Sequence, residues 1–321
     1  MSLLGGTISI TGVAFLMFCI FAIAAIGYGL GRITIKGVNL GTAGVFILNS
    51  TQNDANPIYY YRGAVTNNNV RFANMCWKIV RTTSTGGIKL LYNGVPNTYG
   101  QCYGTGTSAG LTAAAYSLNS TDNTFMGYMF GKENATTYET THSNLFNSNI
   151  KDNIDNWFLT KLNTSVKKLE DTVWCNDRVN AQSGKLIGNT SAYDRVSQNT
   201  PNLTCSTLND SFTVSEKNGN GSLTYPVALM TADEAILAGA SWNLADDAST
   251  LYINTGTRYA LLGSSGLSDQ SVLNVFTIEA NGALYHANAS ESNAIRPMIS
   301  LKRGAKFKSG TGTTASPYIV N

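Results

Sequence analysis

Apolar and polar positions along residues 223–240 predict a buried strand that runs directly into a capped helix. The run 227–230 is apolar throughout, as in a strand covered on both faces. Thr231 and Glu234 then have the Thr-x-x-Glu spacing of a capping box, and Gly239 suits a left-handed helix stop. We expect this unit to be internal framework, and alanine at either capping residue to cost ~0.5–2 kcal/mol of stability.

A second helix is predicted after Ser148, which has the residue type of an N-cap. Its apolar positions follow a helical period and define one buried face: Ile150, Ile154, Trp157, Phe158 and Leu162. Most other apolar runs are short and bounded by turn residues, which predicts strands at 58–63, 70–80, 88–92, 251–253, 259–262, 272–278, 283–286 and 296–301. Few helices among many strands predict an α+β fold with antiparallel hairpins and two short helices.

Two hairpins follow from the turn residues between these runs. The Gly-rich turn 83–87 joins strand 70–80 to strand 88–92, and Asn281-Gly282 joins 272–278 to 283–286. Trp77 lies in the first hairpin, and Arg296 and Pro297 open the last predicted strand, so we expect all three to have structural roles.

The N-terminal residues predict a membrane anchor. Residues 8–30 carry no charge, and at ~1.5 Å per residue such a helix crosses a ~30 Å hydrocarbon core. We predict a single transmembrane helix at about 8–31 within an anchor 1–48, then a linker 49–57 and an extracellular domain 58–321. The alternative is a signal peptide cleaved near Ala22 and Ala24, although no Lys or Arg precedes the apolar run.

The orientation of this helix is left open by the charges that follow it. Arg32 and Lys36 come directly after the apolar run, and the positive-inside rule would place them in the cytoplasm. A second apolar piece, 38–48, is too short to span as a helix and predicts an interfacial or re-entrant segment or a truncated second span.

Composition argues against a nucleic-acid-binding role. The chain has 13% charged residues and a net charge of +3. Basic residues cluster in one short stretch near the end, which predicts a solvated strand edge rather than a phosphate-binding surface: Lys302, Arg303, Lys306 and Lys308.

Four cysteines in the polar region predict two disulfides, while Cys19 lies in the apolar leader. Four cysteines allow three pairings. We favour the most local one, Cys76 with Cys102 and Cys175 with Cys205, which requires an oxidising compartment. Reduced cysteines in a cytosolic protein remain the alternative.

No catalytic centre is apparent. The two histidines, His142 and His286, lie in unrelated contexts, which argues against a histidine-based metal site. Ser264 and Ser265 have no candidate base other than His286, and no orienting acid is evident. Asp233 and Glu234 are adjacent on a helix, where side chains diverge by ~100°.

Residues 1–48 resemble the opening of bacterial aspartate-alanine-antiporter-type permeases, through the stretch 29–45. In that family a short basic turn follows the first helix and leads to a second. Because the likeness covers a small part of the chain, it implies a borrowed anchor or a permease fragment.

The rest of the chain resembles a functionally unassigned family of exported proteins of Gram-positive gut bacteria. The motifs that carry the resemblance are 61–67, 72–83, 86–94, 169–178, 223–235 and 296–301. It implies a C-type-lectin-like domain, an architecture shared with formylglycine-generating-enzyme relatives and Fibrobacter-type paralogous surface domains. Relatives have a Trp-x-Leu/Met-x-Ser-Pro strand where this chain has 259–265, which lacks that tryptophan and proline.

The lectin-like resemblance also raises calcium as the one cofactor to consider. Trp174-Cys-Asn-Asp177 is similar to the Trp-Asn-Asp calcium motif of sugar-binding lectins, with Asn176 and Asp177 as the candidate ligands. Cys175 interrupts the motif, so we favour a buried Trp174 beside a disulfide, and we interpret Asp177 with Arg178 as a local ion pair.

Together these features predict a membrane-anchored bacterial surface protein. Its extracellular domain is expected to bind a glycan or a protein through exposed loops, without catalysis and without nucleic acid. The alternatives are an enzyme of the formylglycine-generating branch and a permease fragment.

Overall fold

A computed structural model describes residues 57–133, 135, 137–179, 188–244, 248–267 and 272–320. In the N-terminal part it describes only the backbone of the short strands Ser2–Leu3, Ile8–Ser9, Thr34–Ile35, Val38–Asn39 and Val45–Leu48.

The predicted transmembrane helix at 8–31 falls almost wholly outside the described residues. Its first two residues, Ile8–Ser9, pair with Ser2–Leu3 as a strand instead of starting a helix. Within the part of the chain that is described, no helix is both long and apolar enough to cross a membrane.

The domain is α+β, as predicted. The strands are β1 Ile58–Tyr61, β2 Asn69–Phe72, β3 Met75–Thr82, β4 Ile88–Tyr92, β5 Leu111–Ala115, β6 Met129–Phe130, β7 Phe146–Asn147, β8 Trp174–Cys175, β9 Gly188–Asn189, β10 Ser211–Phe212, β11 Val227–Leu229, β12 Tyr259–Leu267, β13 Leu273–Ile278, β14 Leu284–Asn288, β15 Ser292–Ile295, β16 Pro297–Leu301, β17 Phe307–Ser309 and β18 Tyr318–Val320. The helices are α1 Tyr138–Thr141, α2 Asn149–Lys161, α3 Ser191–Ser197 and α4 Ala232–Leu237.

The larger sheet has nine strands among the described residues, counting Val45–Leu48. Its main path runs β11-β16-β4-β3-β2-β18-β17, and β1 joins at the end of β3. β16 returns from the C-terminal part of the chain to lie between β11 and β4. The edge strand β17 is flanked by exposed Lys306 and contains exposed Lys308, which confirms the predicted lysine-guarded edge.

The smaller sheet has the path β5-β15-β12-β13-β14, with β9 paired to β12. The predicted hairpin between β13 and β14 is confirmed, with Ile278 opposite Leu284. Its turn contains Asn281 and Gly282, and Gly282 has a φ of +88° that favours glycine. The two sheets and the helices enclose one hydrophobic core.

The predicted strand 70–80 is wrong as a single element, because the chain reverses within it. Ala73 and Asn74 have φ values of +51° and +58° and form a tight turn between β2 and β3. Asn tolerates this left-handed region, whereas Ala rarely enters it. The Trp77 indole donates to the Phe72 carbonyl at 3.0 Å across the hairpin, and Trp77 is fully buried.

The predicted strand 251–253 is also wrong. These residues form a turn, and their backbone N–H and carbonyl groups are hydrogen-bonded to other parts of the chain. The Tyr252 N–H donates to Gly63, and the Ile253 carbonyl accepts from Arg296 and from the Tyr259 hydroxyl. Its apolar side chains therefore reflect burial, not participation in a sheet.

Both predicted helices form. Ser148 caps α2 by accepting from the Lys151 N–H, and Thr231 with Glu234 makes the complete capping box of α4. The sequence pattern missed α1 and α3. Of the seven residues of α3, only Ala192 and Val196 are buried, too few to establish a helical period.

Both predicted disulfides are present. Cys76 joins Cys102 with a Cα–Cα distance of 5.6 Å, and Cys175 joins Cys205 at 5.4 Å. The first pair is fully enclosed, whereas both cysteines of the second are partly exposed.

Arg296 and Pro297 tie the two sheets together. The fully buried Arg296 donates to the carbonyls of Tyr92 and Ile253 and to the Asn93 side chain. Pro297 is the first residue of β16 and lies opposite Leu229. Proline is tolerated at the first residue of a strand.

Candidate functional site

A polar cleft of about 620 Å³ opens beside the N-terminal end of α4. Three segments form its walls: the turn after β3, the chain 170–175 and the loop 202–211. Its floor is the start of α4, the helix that the capping box of Thr231 and Glu234 predicts. Large polar concavities with buried ionisable groups are the usual places to look for function.

Glu234 lies at the floor of the cleft, where it both caps α4 and forms ion pairs. Its carboxylate accepts the Thr231 N–H at 3.1 Å, which completes the helix cap. The same carboxylate accepts from Arg81 Nε at 2.8 Å and from Lys89 Nζ at 2.9 Å. Glu234 is fully buried, so the cap is also the anion of a buried ion cluster that joins α4 to β3 and β4.

The charges of this cluster compensate one another. Burial raises the pKa of Glu234, but Lys89 and Arg81 outweigh it and lower that pKa to about 2. Burial lowers the pKa of Lys89 to about 8, against the opposing attraction of Glu234. Glu234 and Lys89 are therefore both charged at neutral pH.

Trp174 is buried beside the disulfide, as we favoured from the sequence. Lys89 Nζ lies 3.9 Å from the centre of the Trp174 ring, a cation–π contact within the enclosed cluster. Cys175 and Cys205 both line the cleft, so the disulfide forms part of its wall.

Asp233, the neighbour of Glu234, points to a different partner. Its carboxylate pairs with Arg195 at 3.2 Å and accepts the Asn202 N–H at 2.8 Å. Two adjacent carboxylates thus serve two separate ion pairs, and together they do not form an acid–base pair.

The wall carboxylates are also tied to the protein. Glu170 accepts from the hydroxyls of Thr83, Thr85 and Ser300. Asp171 accepts the backbone N–H groups of Val214 and Ser215 at 2.8 and 2.9 Å. These bonds hold the loops of the cleft in place.

The calcium candidates Asn176 and Asp177 do not fit a calcium site. Arg195 Nη2 lies 2.6 Å from Asp177 Oδ2, and Asn176 Oδ1 accepts the Tyr128 N–H at 3.3 Å. A cation here would face a guanidinium that already neutralises the aspartate. In the described residues, no three acidic, histidine or cysteine side chains come together as metal ligands.

The predicted ion pair between Asp177 and Arg178 is wrong. Arg178 Nε pairs with Asp210 at 2.6 Å, and its other nitrogens donate to carbonyls around it, including Met129. Asp177 and Arg178 therefore reach different partners, Arg195 for Asp177 and Asp210 for Arg178. The sequence did not single out Asp210, Arg195, Arg81 or Lys89.

Ser265 and His286 do meet, although at a distance from the cleft. Ser265 Oγ lies 3.1 Å from His286 Nδ1. Ser265 is 2% exposed, which leaves its hydroxyl out of reach of a substrate. The contact orients the imidazole of His286 instead of activating a nucleophile.

Comparison with known proteins found no relative of this chain. No family model matches the sequence, and neither a curated protein nor a solved structure is significantly similar to it.

Proposed function

We propose that this protein is a membrane-anchored bacterial surface protein whose domain 58–321 is an extracellular binding or adhesion module. The observation that carries the proposal is the polar cleft, whose walls are loops held by a disulfide and by bonds to Glu170 and Asp171. Such a site is preorganised, and preorganised polar walls favour recognition of a partner.

Binding accounts for the cleft better than catalysis does. The acidic groups of the floor and walls are engaged with protein partners, as described for Glu234, Asp233 and Glu170. A general acid or base must be able to reach substrate, and a nucleophile must be adjacent to a base. Because each of these carboxylates is already held by protein donors, we infer that the cleft binds a ligand and does not act on it.

The cleft suits a polar ligand with little net charge. Its rim offers hydroxyl, carbonyl and ammonium groups from Thr172, Ser206 and Lys217. The positive charges below, on Arg81 and Lys89, share one buried carboxylate and are not directed outward. A neutral segment of a glycan or of a polar peptide meets these conditions.

The two sequence resemblances complete the proposal. A C-type-lectin-like scaffold agrees with the long polar loops and with β16 returning from the C-terminal part of the chain to lie between β11 and β4. The resemblance of 1–48 to permease openings supplies a membrane anchor, with the two disulfides favouring the outer side of the membrane.

Binding of the full chain to an immobilised panel of glycans and peptides tests this function. Ser206 is exposed on the cleft wall, so Ser206→Arg should obstruct the cleft without disturbing the core. Leu118→Arg, at a residue 79% exposed and outside the cleft lining, is the matched control.

We expect at least one ligand to bind the unmodified protein and the Leu118→Arg variant equally. The affinity of the Ser206→Arg variant for this ligand should be lower by about tenfold or more, a change of ~1.4 kcal/mol. Binding should be the same with and without calcium. Equal binding by both variants would overturn the assignment of the cleft.

A further inference from the structure

Two depressions lie next to each other on the smaller sheet and share two residues. One, of about 290 Å³, is lined by the end of the β13–β14 hairpin, and the other, of about 750 Å³, by β5 and β15. Arg258 and Glu279 line both. The two depressions therefore adjoin at this ion pair, and we refer to them together as the groove.

An aromatic platform lies at one end of the groove. The ring of Tyr285 is 38% exposed and packs against Trp242, with ring centres 5.2 Å apart. His286 lies 5.4 Å from Trp242, and its Nδ1 is held by Ser265. Packing on Trp242 and the bond to Ser265 fix both rings before any ligand arrives.

Planar polar groups form the middle of the groove. Arg258 pairs with Glu279 at 2.9 Å and with Glu291 at 2.7 Å, and Glu279 also accepts from the Thr277 hydroxyl. The amide side chains of Asn243 and Asn281 are exposed at the same depression. These groups offer both donors and acceptors, but their charges are largely compensated.

The other half of the groove is lined mainly by small residues. Thr112, Ala113 and Ser292 are exposed there, with Gly110 and Thr257 beside them. Small side chains leave room for a chain lying flat on the sheet, and they provide no deep apolar pocket for an anchoring side chain.

We propose that this groove binds a neutral oligosaccharide, with one sugar ring on Tyr285 and further rings extending over Ala113. An apolar ring face against an aromatic side chain, with hydroxyls bonded to planar polar groups, satisfies both kinds of surface present. A peptide would instead pair with the edge strand β5, and it would make no use of the Tyr285 ring at the other end of the groove. An anionic ligand would meet the two carboxylates beside Arg258.

The groove and the polar cleft have no lining residue in common. The proposal is therefore independent of the proposed function of the cleft. A variant that blocks one site leaves the other intact, so the two proposals fail separately.

Isothermal titration of the full chain, in a detergent without a sugar headgroup, tests the groove. The probes are methyl glycosides of glucose and N-acetylglucosamine and the corresponding linear hexasaccharides, with N-acetylneuraminic acid as an anionic comparison. The variants are Tyr285→Ala at the aromatic end and Ala113→Trp at the end lined by small residues. Tyr99→Ala is the control, since Tyr99 is 86% exposed and outside the groove.

We expect one neutral hexasaccharide to bind about tenfold or more tightly than its methyl glycoside, because only the longer ligand spans both halves. Tyr285→Ala should abolish binding of both lengths. Ala113→Trp should remove the advantage of the hexasaccharide and leave the methyl glycoside unaffected, and Tyr99→Ala should change neither. No saturable binding, preference for the anionic sugar, or equal effects of Tyr285→Ala and Tyr99→Ala would overturn the proposal.

Discussion

Lys89 Nζ lies 2.9 Å from Glu234 Oε1, and both side chains are enclosed by protein. Glu234 is also the N3 residue of the α4 capping box. The helix that the sequence marks most clearly is thus anchored to the larger sheet by charge, beneath the floor of the cleft. This connection makes the stability of the floor depend on one carboxylate.

We predict that Glu234→Ala destabilises the domain far more than Thr231→Ala does. Thr231 loses only a cap, ~0.5–2 kcal/mol, as the sequence suggested. Removal of Glu234 also leaves Arg81 and Lys89 buried without their anion, and breaking a buried pair costs ~3–5 kcal/mol. Urea unfolding of both variants measures the difference. Equal destabilisation would show that the cluster contributes little.

Acid should reduce stability through the same residue. The folded-state pKa of Glu234 is about 2, below its ordinary value of 4.5, so the unfolded chain takes up the proton first as pH falls. The stabilisation is complete above pH 4.5 and disappears as pH falls towards 2, a loss of ~3 kcal/mol.

Unfolding free energies measured across this pH range for the unmodified protein and for Glu234→Gln test the effect. Glu234→Gln has no carboxylate to titrate at this position. As the pH falls, its free energy of unfolding should therefore decrease less steeply than that of the unmodified protein, and the difference in slope corresponds to one proton. Parallel curves for the two proteins would contradict the assigned ion cluster.

Local features of the fold were predictable, and long-range ones were not. The capping box lies within four consecutive residues, so its spacing is legible in the sequence. The partners of Glu234 are 153 and 145 residues away, at Arg81 and Lys89, and no pattern in one sequence joins them. The sequence therefore predicted the capped helix at the floor of the candidate site, but not the ion cluster that Glu234 forms there.

The errors at 70–80 and 251–253 have a related cause. Apolar runs report burial, and both runs are indeed buried. The turn at 251–253 depends on hydrogen bonds to distant elements, such as the bond from the Tyr252 N–H to Gly63, and the reversal at Ala73 depends on a left-handed backbone that alanine rarely adopts. The cysteine pairing was predictable because each loop is short.

The two disulfides should differ in their response to reductant. Cys175 and Cys205 are partly exposed on the cleft wall, whereas Cys76 and Cys102 are enclosed. Because exchange requires access of a thiolate to sulfur, mild reductant should open Cys175–Cys205 first. Differential alkylation followed by peptide mass mapping measures the order, and earlier labelling of Cys76 would contradict it.

The turn between β2 and β3 offers a stabilising substitution. Ala73 has a φ of +51°, which is costly for alanine and tolerated by asparagine. We predict that Ala73→Asn raises the free energy of unfolding by roughly 0.5–1 kcal/mol. Thermal unfolding checks this value, with Ala305→Asn outside the turn as a control. A lower melting temperature for Ala73→Asn would show that the turn is relaxed.

We propose that residues 58–321 form a disulfide-linked binding domain on the outside of the cell. Protease treatment of intact cells that produce the full chain, followed by nonreducing peptide mapping, tests this location and the disulfides together. We predict release of peptides from 58–321, with Cys76 linked to Cys102 and Cys175 to Cys205. Complete protection of this region in intact cells, together with four free thiols after lysis, would contradict the account.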